Sequence, residues 1–111
     1  MPLVISGTHT TTGSVAGNDF YYLLEGATHY TTGTTLFPGS HNEIFIDGHL
    51  LSTGGNAIDF YDESDATITI GRTGSVRCAA GFATFVEIGD DSLLTNHGLI
   101  SGGAVNVCGL N

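Results

Sequence analysis

Apolar and polar residues alternate over several short stretches of the chain, and each of these stretches ends at glycine or aspartate. Residues 44–46 are Ile-Phe-Ile, residues 67–70 are Thr-Ile-Thr-Ile, and residues 84–88 are Thr-Phe-Val-Glu-Ile. A period of two places successive side chains on opposite faces of a β-strand, so that one face can be buried. The pattern therefore predicts an all-β fold in which short strands are joined by tight turns.

The same order of strands recurs in the second part of the chain. The repeats are residues 42–65, 66–91 and 92–111. Each repeat begins with an apolar strand, turns at a glycine (Gly48, Gly71 or Gly98), continues with a second strand, bends again and ends with a third strand. Glycine suits such corners because it adopts positive φ without a steric penalty.

Repeats with this strand order are typical of a β-solenoid, in which each repeat forms one coil. We therefore predict a parallel β-helix (β-solenoid) of about four irregular coils, with three short strands in each coil. A sandwich of short β-hairpins is the alternative. It is disfavoured because only Asp47-Gly48 offers the two-residue turn that such hairpins use.

Residues 1–41 follow the same order less regularly. Residues 12–15 repeat the Thr-Gly-Ser-Val of residues 73–76, and residues 19–24 occupy the place of a third strand. We expect a first coil over residues 4–27, and a partial coil or a loop over residues 28–41. The whole segment is interpreted as an irregular coil that caps the solenoid. A chain of 111 residues has room for one domain, residues 1–111.

The charge balance narrows the choice of partners. The chain carries eleven Asp and Glu against two basic residues, Arg72 and Arg77, for a net charge of −9. So few cations cannot neutralise a run of phosphates, which argues against nucleic acid as a partner. No apolar run approaches the roughly 20 residues that span a bilayer, so we expect no membrane insertion. The N-terminus lacks the basic and apolar regions of a signal peptide.

Stacked coils bring equivalent residues to about 4.8 Å from each other, so that side chains form columns. On the third strands, Asp59, Glu87 and Asn106 are predicted to point outward in one column. Two carboxylates at this separation repel each other, and they either recruit a cation or form a solvated acidic face. A carboxylate pair about 5 Å apart also resembles the catalytic pair of a retaining glycosidase, so Asp59 and Glu87 are the candidate catalytic residues of a carbohydrate-active β-helix.

A second acidic cluster follows the third strands. Its members are Asp62, Glu63, Asp65, Asp90 and Asp91. Oxygen-rich clusters without lysine suit calcium, which takes about six to eight oxygen ligands, so these residues are the candidate metal ligands. The alternative is that Asp is frequent here because it favours turns, since a complete DxDxDG loop is missing.

The five histidines are expected in turns or loops. His49 and His97 are predicted to lie two coils apart, about 10 Å from each other, which is too far to share a zinc ion. Cys78 and Cys108 follow different strands of their repeats, so we expect free and mostly buried thiols. Threonines cluster at residues 8–12 and 31–35, as on some ice-binding solenoids, but ordinary β-propensity explains them.

Three stretches carry a resemblance to a known family. They are VISGTHT at residues 4–10, IDGHLL at residues 46–51 together with Asn-Ala-Ile at 56–58, and LTNHGLISG at residues 94–102. They resemble the N-terminal solenoid segments of secreted bacterial hemolysin-type (RTX-like) calcium-binding proteins. The resemblance implies a parallel β-helix, type I export without an N-terminal signal peptide, and an extracellular or cell-surface location. The calcium nonapeptide of that family, GGxGxDxUx, does not occur in this chain.

Together these features favour a non-enzymatic module with a structural or adhesive role in a secreted or surface protein. We expect it to be stabilised by calcium. The last repeat ends directly after an apolar strand, so we expect the coil to stack end to end on a second copy or on the rest of a longer chain. A carbohydrate-active β-helix, degrading polysaccharide or binding glycan, is the alternative.

Overall fold

A computed structural model describes residues 3–59, 65–78, 84–88, 93–101 and 104–107, with residues 84–88 and 104–107 described by their backbone. In these ranges the chain forms strands and turns and no helix, so no helix that could cross a membrane is found there. The strands are β1 (Leu3–Ile5), β2 (Thr8–His9), β3 (Gly13–Ser14), β4 (Phe20–Leu23), β5 (Thr28–Thr31), β6 (Leu36–Phe37), β7 (Glu43–Ile46), β8 (His49–Ser52), β9 (Ile58–Asp59), β10 (Thr67–Ile70), β11 (Ser75–Cys78), β12 (Thr84–Ile88), β13 (Leu93–Asn96), β14 (Leu99–Ser101) and β15 (Ala104–Val107).

The strands form three parallel sheets of five strands each. The first sheet has the order β1-β4-β7-β10-β13, the second β2-β5-β8-β11-β14, and the third β3-β6-β9-β12-β15. Every third strand along the chain therefore joins the same sheet, and each coil contributes one strand to each sheet. This arrangement is a parallel β-solenoid, which confirms the predicted fold class.

The core lies between the three sheets and follows the predicted alternation. In the first sheet, Ile44 is in register with Ile68, and Ile46 with Ile70, and all four side chains are completely buried. Burying one such side chain stabilises the fold by roughly 1.5–3 kcal/mol. The alternating polar positions face outward, as at the exposed Glu43. Apolar columns that run through successive coils therefore hold the sheets together.

The N-terminal segment differs from its predicted layout. Residues 20–23 do not form a third strand. They form β4, which pairs with β1 and β7 in the first sheet. Residues 28–41 contribute β5 and β6 to the second and third sheets. The alternating pattern of β4 suits any sheet of the solenoid, and the corner at Gly26, with φ of 81°, directs the chain into the second sheet.

Gly48 and Gly98 occupy the predicted first corner, but for a different physical reason. Among the described glycines, positive φ belongs to Gly7 and Gly26. A Cβ atom on Gly98 would instead overlap the carbonyl oxygen of Gly74, one coil earlier, and Gly48 meets its preceding coil in the same way. The corners stack backbone on backbone, so a side chain there would separate the coils.

The corner that leads into the first sheet carries a column of left-handed residues. Asn18, His41 and Asp65 have φ values of 60°, 58° and 59°, and each lies two residues before a strand of the first sheet. Asn, Asp and His are the residues other than glycine that adopt this conformation most readily. The backbone N–H of Asn18 donates to the carbonyl of Ser40 (2.9 Å), which keeps these corners stacked.

Candidate ligand-binding cleft

A cavity of about 640 Å³ opens on the outer face of the second sheet. Its lining includes His49, Arg72, Ser75, Arg77, His97 and Leu99. We call it the arginine cleft. Its volume lies within the range of roughly 300–1,000 Å³ that is usual for small-molecule sites.

Stacking of the coils builds the floor of the arginine cleft. His49, Ser75 and Leu99 are in register on β8, β11 and β14. His49 Nδ1 lies 2.7 Å from Ser75 Oγ, which links two neighbouring coils by a hydrogen bond. Two positions further along β11 lies Arg77, in register with Leu51 on the preceding coil. The floor is therefore a mixed surface of polar, basic and apolar side chains.

The wall of the cleft comes from the corners between the first and second sheets. Arg72 and Thr73 belong to one corner, and His97 belongs to the corner of the next coil. The Thr73 hydroxyl donates to the carbonyl oxygen of Asp47 (2.7 Å), one coil earlier, and this bond holds the corner beside Arg72. With Thr28 of β5, residues from four successive coils thus surround one cavity.

The charge of the cleft is opposite to that of the chain. Arg72 and Arg77 are all the Lys and Arg that the protein contains, and both line this cavity although the net charge is −9. Both are exposed, and neither forms an ion pair with a residue that the structure describes. From composition alone the two arginines are too few for nucleic acid, and composition does not predict that they meet in one cavity. Both arginines lie in the repeat of residues 66–91, one before and one after the start of its second strand. This closeness in sequence was the signal that could have indicated a shared site.

A buried histidine forms a second polar site, inside the solenoid. His29 on β5 is completely buried. Its Nε2 lies 2.7 Å from the carbonyl oxygen of Thr11, and its Nδ1 lies 2.8 Å from the Tyr21 hydroxyl. Because a carbonyl oxygen only accepts hydrogen bonds, Nε2 carries the proton and donates, and the Tyr21 hydroxyl donates to Nδ1. Both ring nitrogens are occupied, so His29 is a structural residue.

The surroundings of His29 favour its neutral form. Burial lowers the pKa of His29, the hydrogen bond to the Thr11 carbonyl raises it in part, and the neighbouring His9 lowers it further. The rings of His9 and His29 meet edge to face with their centroids 4.8 Å apart. Burial also raises the pKa of Tyr21. The expectation that the histidines lie in turns or loops is wrong for His9, His29 and His49, which lie on strands of the second sheet.

The second threonine cluster contributes to the interior as well. Thr31 and Thr35 are buried, and their hydroxyl oxygens lie 3.0 Å apart. The Thr35 hydroxyl donates to the carbonyl of Leu51 (2.8 Å), and Ser52 donates to the carbonyl of Gly33 (2.6 Å). These side chains satisfy backbone groups at the corner between the second and third sheets. They do not form the flat exposed face that an ice-binding surface needs.

Cys78 continues this polar column into the next coil. It is in register with Ser52, and its thiol is buried as predicted. Its thiol donates to the carbonyl of Gly55 (3.1 Å), as Ser52 and the threonines do for neighbouring carbonyls. Cys108 lies outside the described residues.

The predicted acidic column has the predicted backbone register. Asp59 pairs with Glu87, and Glu87 pairs with Asn106, across β9, β12 and β15. The side chain of Asp59 is half-buried, and its Oδ2 accepts a hydrogen bond from Asn56 Nδ2 at 3.4 Å. Asp59 and Glu87 therefore lie on adjacent strands of the third sheet, away from the lining of the arginine cleft.

Of the five candidate calcium ligands, the structure describes one, Asp65. Asp65 is exposed, and its Oδ2 lies 3.7 Å from Nδ1 of His41, the equivalent residue of the preceding coil. Asp62, Glu63, Asp90 and Asp91 lie outside the described residues. Within the described ranges, no group of three or more His, Cys, Asp or Glu side chains could hold a metal ion.

Comparisons with protein-family models, with curated proteins and with solved structures found no match to this chain. The class of protein is therefore defined by its architecture, a parallel β-solenoid with a basic cleft on one sheet.

Proposed function

We propose that the protein is a non-enzymatic β-solenoid module with a structural or adhesive role, which self-associates by stacking one coil end on another. The supporting observation is that inward apolar residues of the last described coil are partly exposed. Leu94 and Ile100 remain partly exposed, whereas Ile68 and Val76, in register with them one coil earlier, are completely buried. A further coil from a second copy would cover these residues and continue the parallel sheets.

A charged residue at this end tests the proposal. Ile100→Lys places an inward-pointing charge on the edge strand β14, which natural sheets use to prevent edge-to-edge pairing. Light scattering over a concentration series should show a mass that rises with concentration for the parent chain and a constant monomer mass for Ile100→Lys. Phe37→Lys is the matched control, because Phe37 is an exposed outward residue of β6, which has a paired strand on each side.

A parent chain that stays monomeric at every concentration would contradict the stacking proposal. Thermal unfolding with calcium and with a chelator tests calcium stabilisation, which the resemblance to hemolysin-type proteins and the acidic corner support. Calcium should raise the melting temperature, and replacing Asp62, Asp65, Asp90 and Asp91 by Asn should remove that increase. An unchanged melting temperature would leave these residues as turn formers. Secretion to an extracellular or cell-surface location belongs to the same proposal.

A carbohydrate-active β-helix is the second candidate, and the register of Asp59 with Glu87 supports it. The backbones of neighbouring parallel strands lie about 4.8 Å apart, which is near the carboxylate separation of about 5 Å that retaining glycosidases use. Release of reducing sugar from a panel of polysaccharides should then occur, and it should disappear when Asp59→Asn and Glu87→Gln are combined. Asp65→Asn, which removes a carboxylate elsewhere, should retain the activity. No release from any polysaccharide would end this candidate.

A further inference from the structure

We propose that the arginine cleft binds a small anionic ligand through Arg72 and Arg77, and that the ligand carries a carboxylate or phosphate group on a body the size of a sugar. This ligand site lies on the outer face of the second sheet, whereas coil stacking would use the inward residues and the edge of the last described coil. The proposal therefore does not rest on the proposed function.

The charge distribution is the first argument. In a chain of 111 residues with eleven acidic side chains, the two arginines line the same cavity. Neither is paired with a carboxylate among the residues that the structure describes. Within the described part of the chain each guanidinium group therefore keeps its donors available. Its planar fork matches the two oxygens of a carboxylate or a phosphate. Two cations that line one cavity, neither paired with a described carboxylate, attract an anion to that cavity.

The rest of the lining is the second argument. Ser75 and His49 supply polar atoms at the floor, where their mutual hydrogen bond of 2.7 Å orients both side chains. Leu99, which is 45% exposed, and the half-buried Leu51 supply apolar surface beside them. A few oriented polar groups against apolar walls are typical of small-molecule sites, and a cavity of about 640 Å³ accepts more than a bare ion.

Binding to the full chain can be measured by NMR titration with three probes: inorganic phosphate, glucuronate and glucose. Phosphate and glucuronate should cause saturable shifts of Arg72, Arg77 and Ser75 resonances, and glucose should not. A preference for phosphate would identify a phosphate-bearing ligand, whereas a preference for glucuronate would identify a sugar acid. Each of Arg72→Gln and Arg77→Gln should weaken the binding of the preferred anion roughly tenfold, as expected for loss of a charged hydrogen-bonding partner.

A pair of leucine substitutions separates a specific site from general charge. Leu99→Glu places a carboxylate inside the cleft, where it should compete for the arginines and abolish anion binding. Leu93→Glu makes the same change in charge at a residue that is 48% exposed on β13, outside the cleft lining, and should leave binding within about twofold of the parent. Melting temperatures of both variants check that they fold.

Equal responses to glucose and to the anions would overturn the proposal. Undiminished binding in the combined Arg72→Gln and Arg77→Gln variant would also overturn it, as would an equal loss of binding in Leu99→Glu and Leu93→Glu.

Discussion

The first and second sheets both bury their inner faces, but the inward side chains of the two sheets differ in polarity. In the first sheet, isoleucine stacks on isoleucine through β7 and β10, and the side chains are completely buried. In the second sheet, the inward residues of β5 include His29 and Thr31, and β8 adds Ser52, all buried and all hydrogen-bonded. One sheet gains stability from hydrophobic burial, whereas the other must satisfy every polar group that it buries.

The polar positions of the second sheet have a common task. They supply donors and acceptors to backbone groups at the corners, where the parallel ladder is interrupted. Thr35 and Ser52 reach carbonyls of neighbouring coils, and Gly55 donates its N–H to Ser52 Oγ at 2.9 Å. None of the buried side-chain nitrogens and oxygens in the described residues lacks a partner. The second sheet therefore orients the corners, and the first sheet supplies more buried apolar side chains than either of the other two among the described residues.

The largest expected effect distinguishes the two sheets by substitution to alanine. Ile46→Ala should lower the free energy of unfolding by about 2–5 kcal/mol, because it removes buried methyl groups and leaves a cavity in the first sheet. Ser52→Ala should cost less, about 1–3 kcal/mol, because it leaves the Gly33 carbonyl and the Gly55 N–H without their partner. Urea unfolding of both variants measures the difference. A larger loss for Ser52→Ala would reverse the roles assigned to the two sheets.

A change of pH should have a smaller effect on the free energy of unfolding, and this effect concerns the second sheet alone. The pKa of His29 is lowered in the fold, so the unfolded chain binds more protons once the pH falls below the unfolded value of about 6.5. Stability should therefore decrease as the pH falls through that value. His29→Gln should be less stable at neutral pH but should lose less stability on acidification. Urea unfolding midpoints of the parent chain and of His29→Gln, measured at neutral pH and at a pH below about 6.5, test this prediction. Equal losses of stability in the two proteins would exclude His29 as the titrating group.

The sequence was most informative where the repeats are regular. Alternation predicted the strands β7 and β10, and alignment of the repeats predicted the register of Asp59 with Glu87 and Asn106. It was less informative in residues 1–41, because an alternating strand such as β4 suits any of the three sheets. The buried role of His29 was also missed. Its two partners, Thr11 and Tyr21, come from different coils, and local pattern does not predict such contacts.

The strand order and the two-residue period of the chain are sufficient for a parallel β-solenoid, because both are local properties that each repeat carries. The arginine cleft has a different origin. Arg77 lies on a strand, Arg72 and His97 lie on corners, and His49 comes from an earlier coil. These residues meet only when coils stack in one register, since residues far apart in sequence then become neighbours. The fold class thus follows from local pattern, whereas the basic cleft on an acidic chain depends on how the coils are stacked.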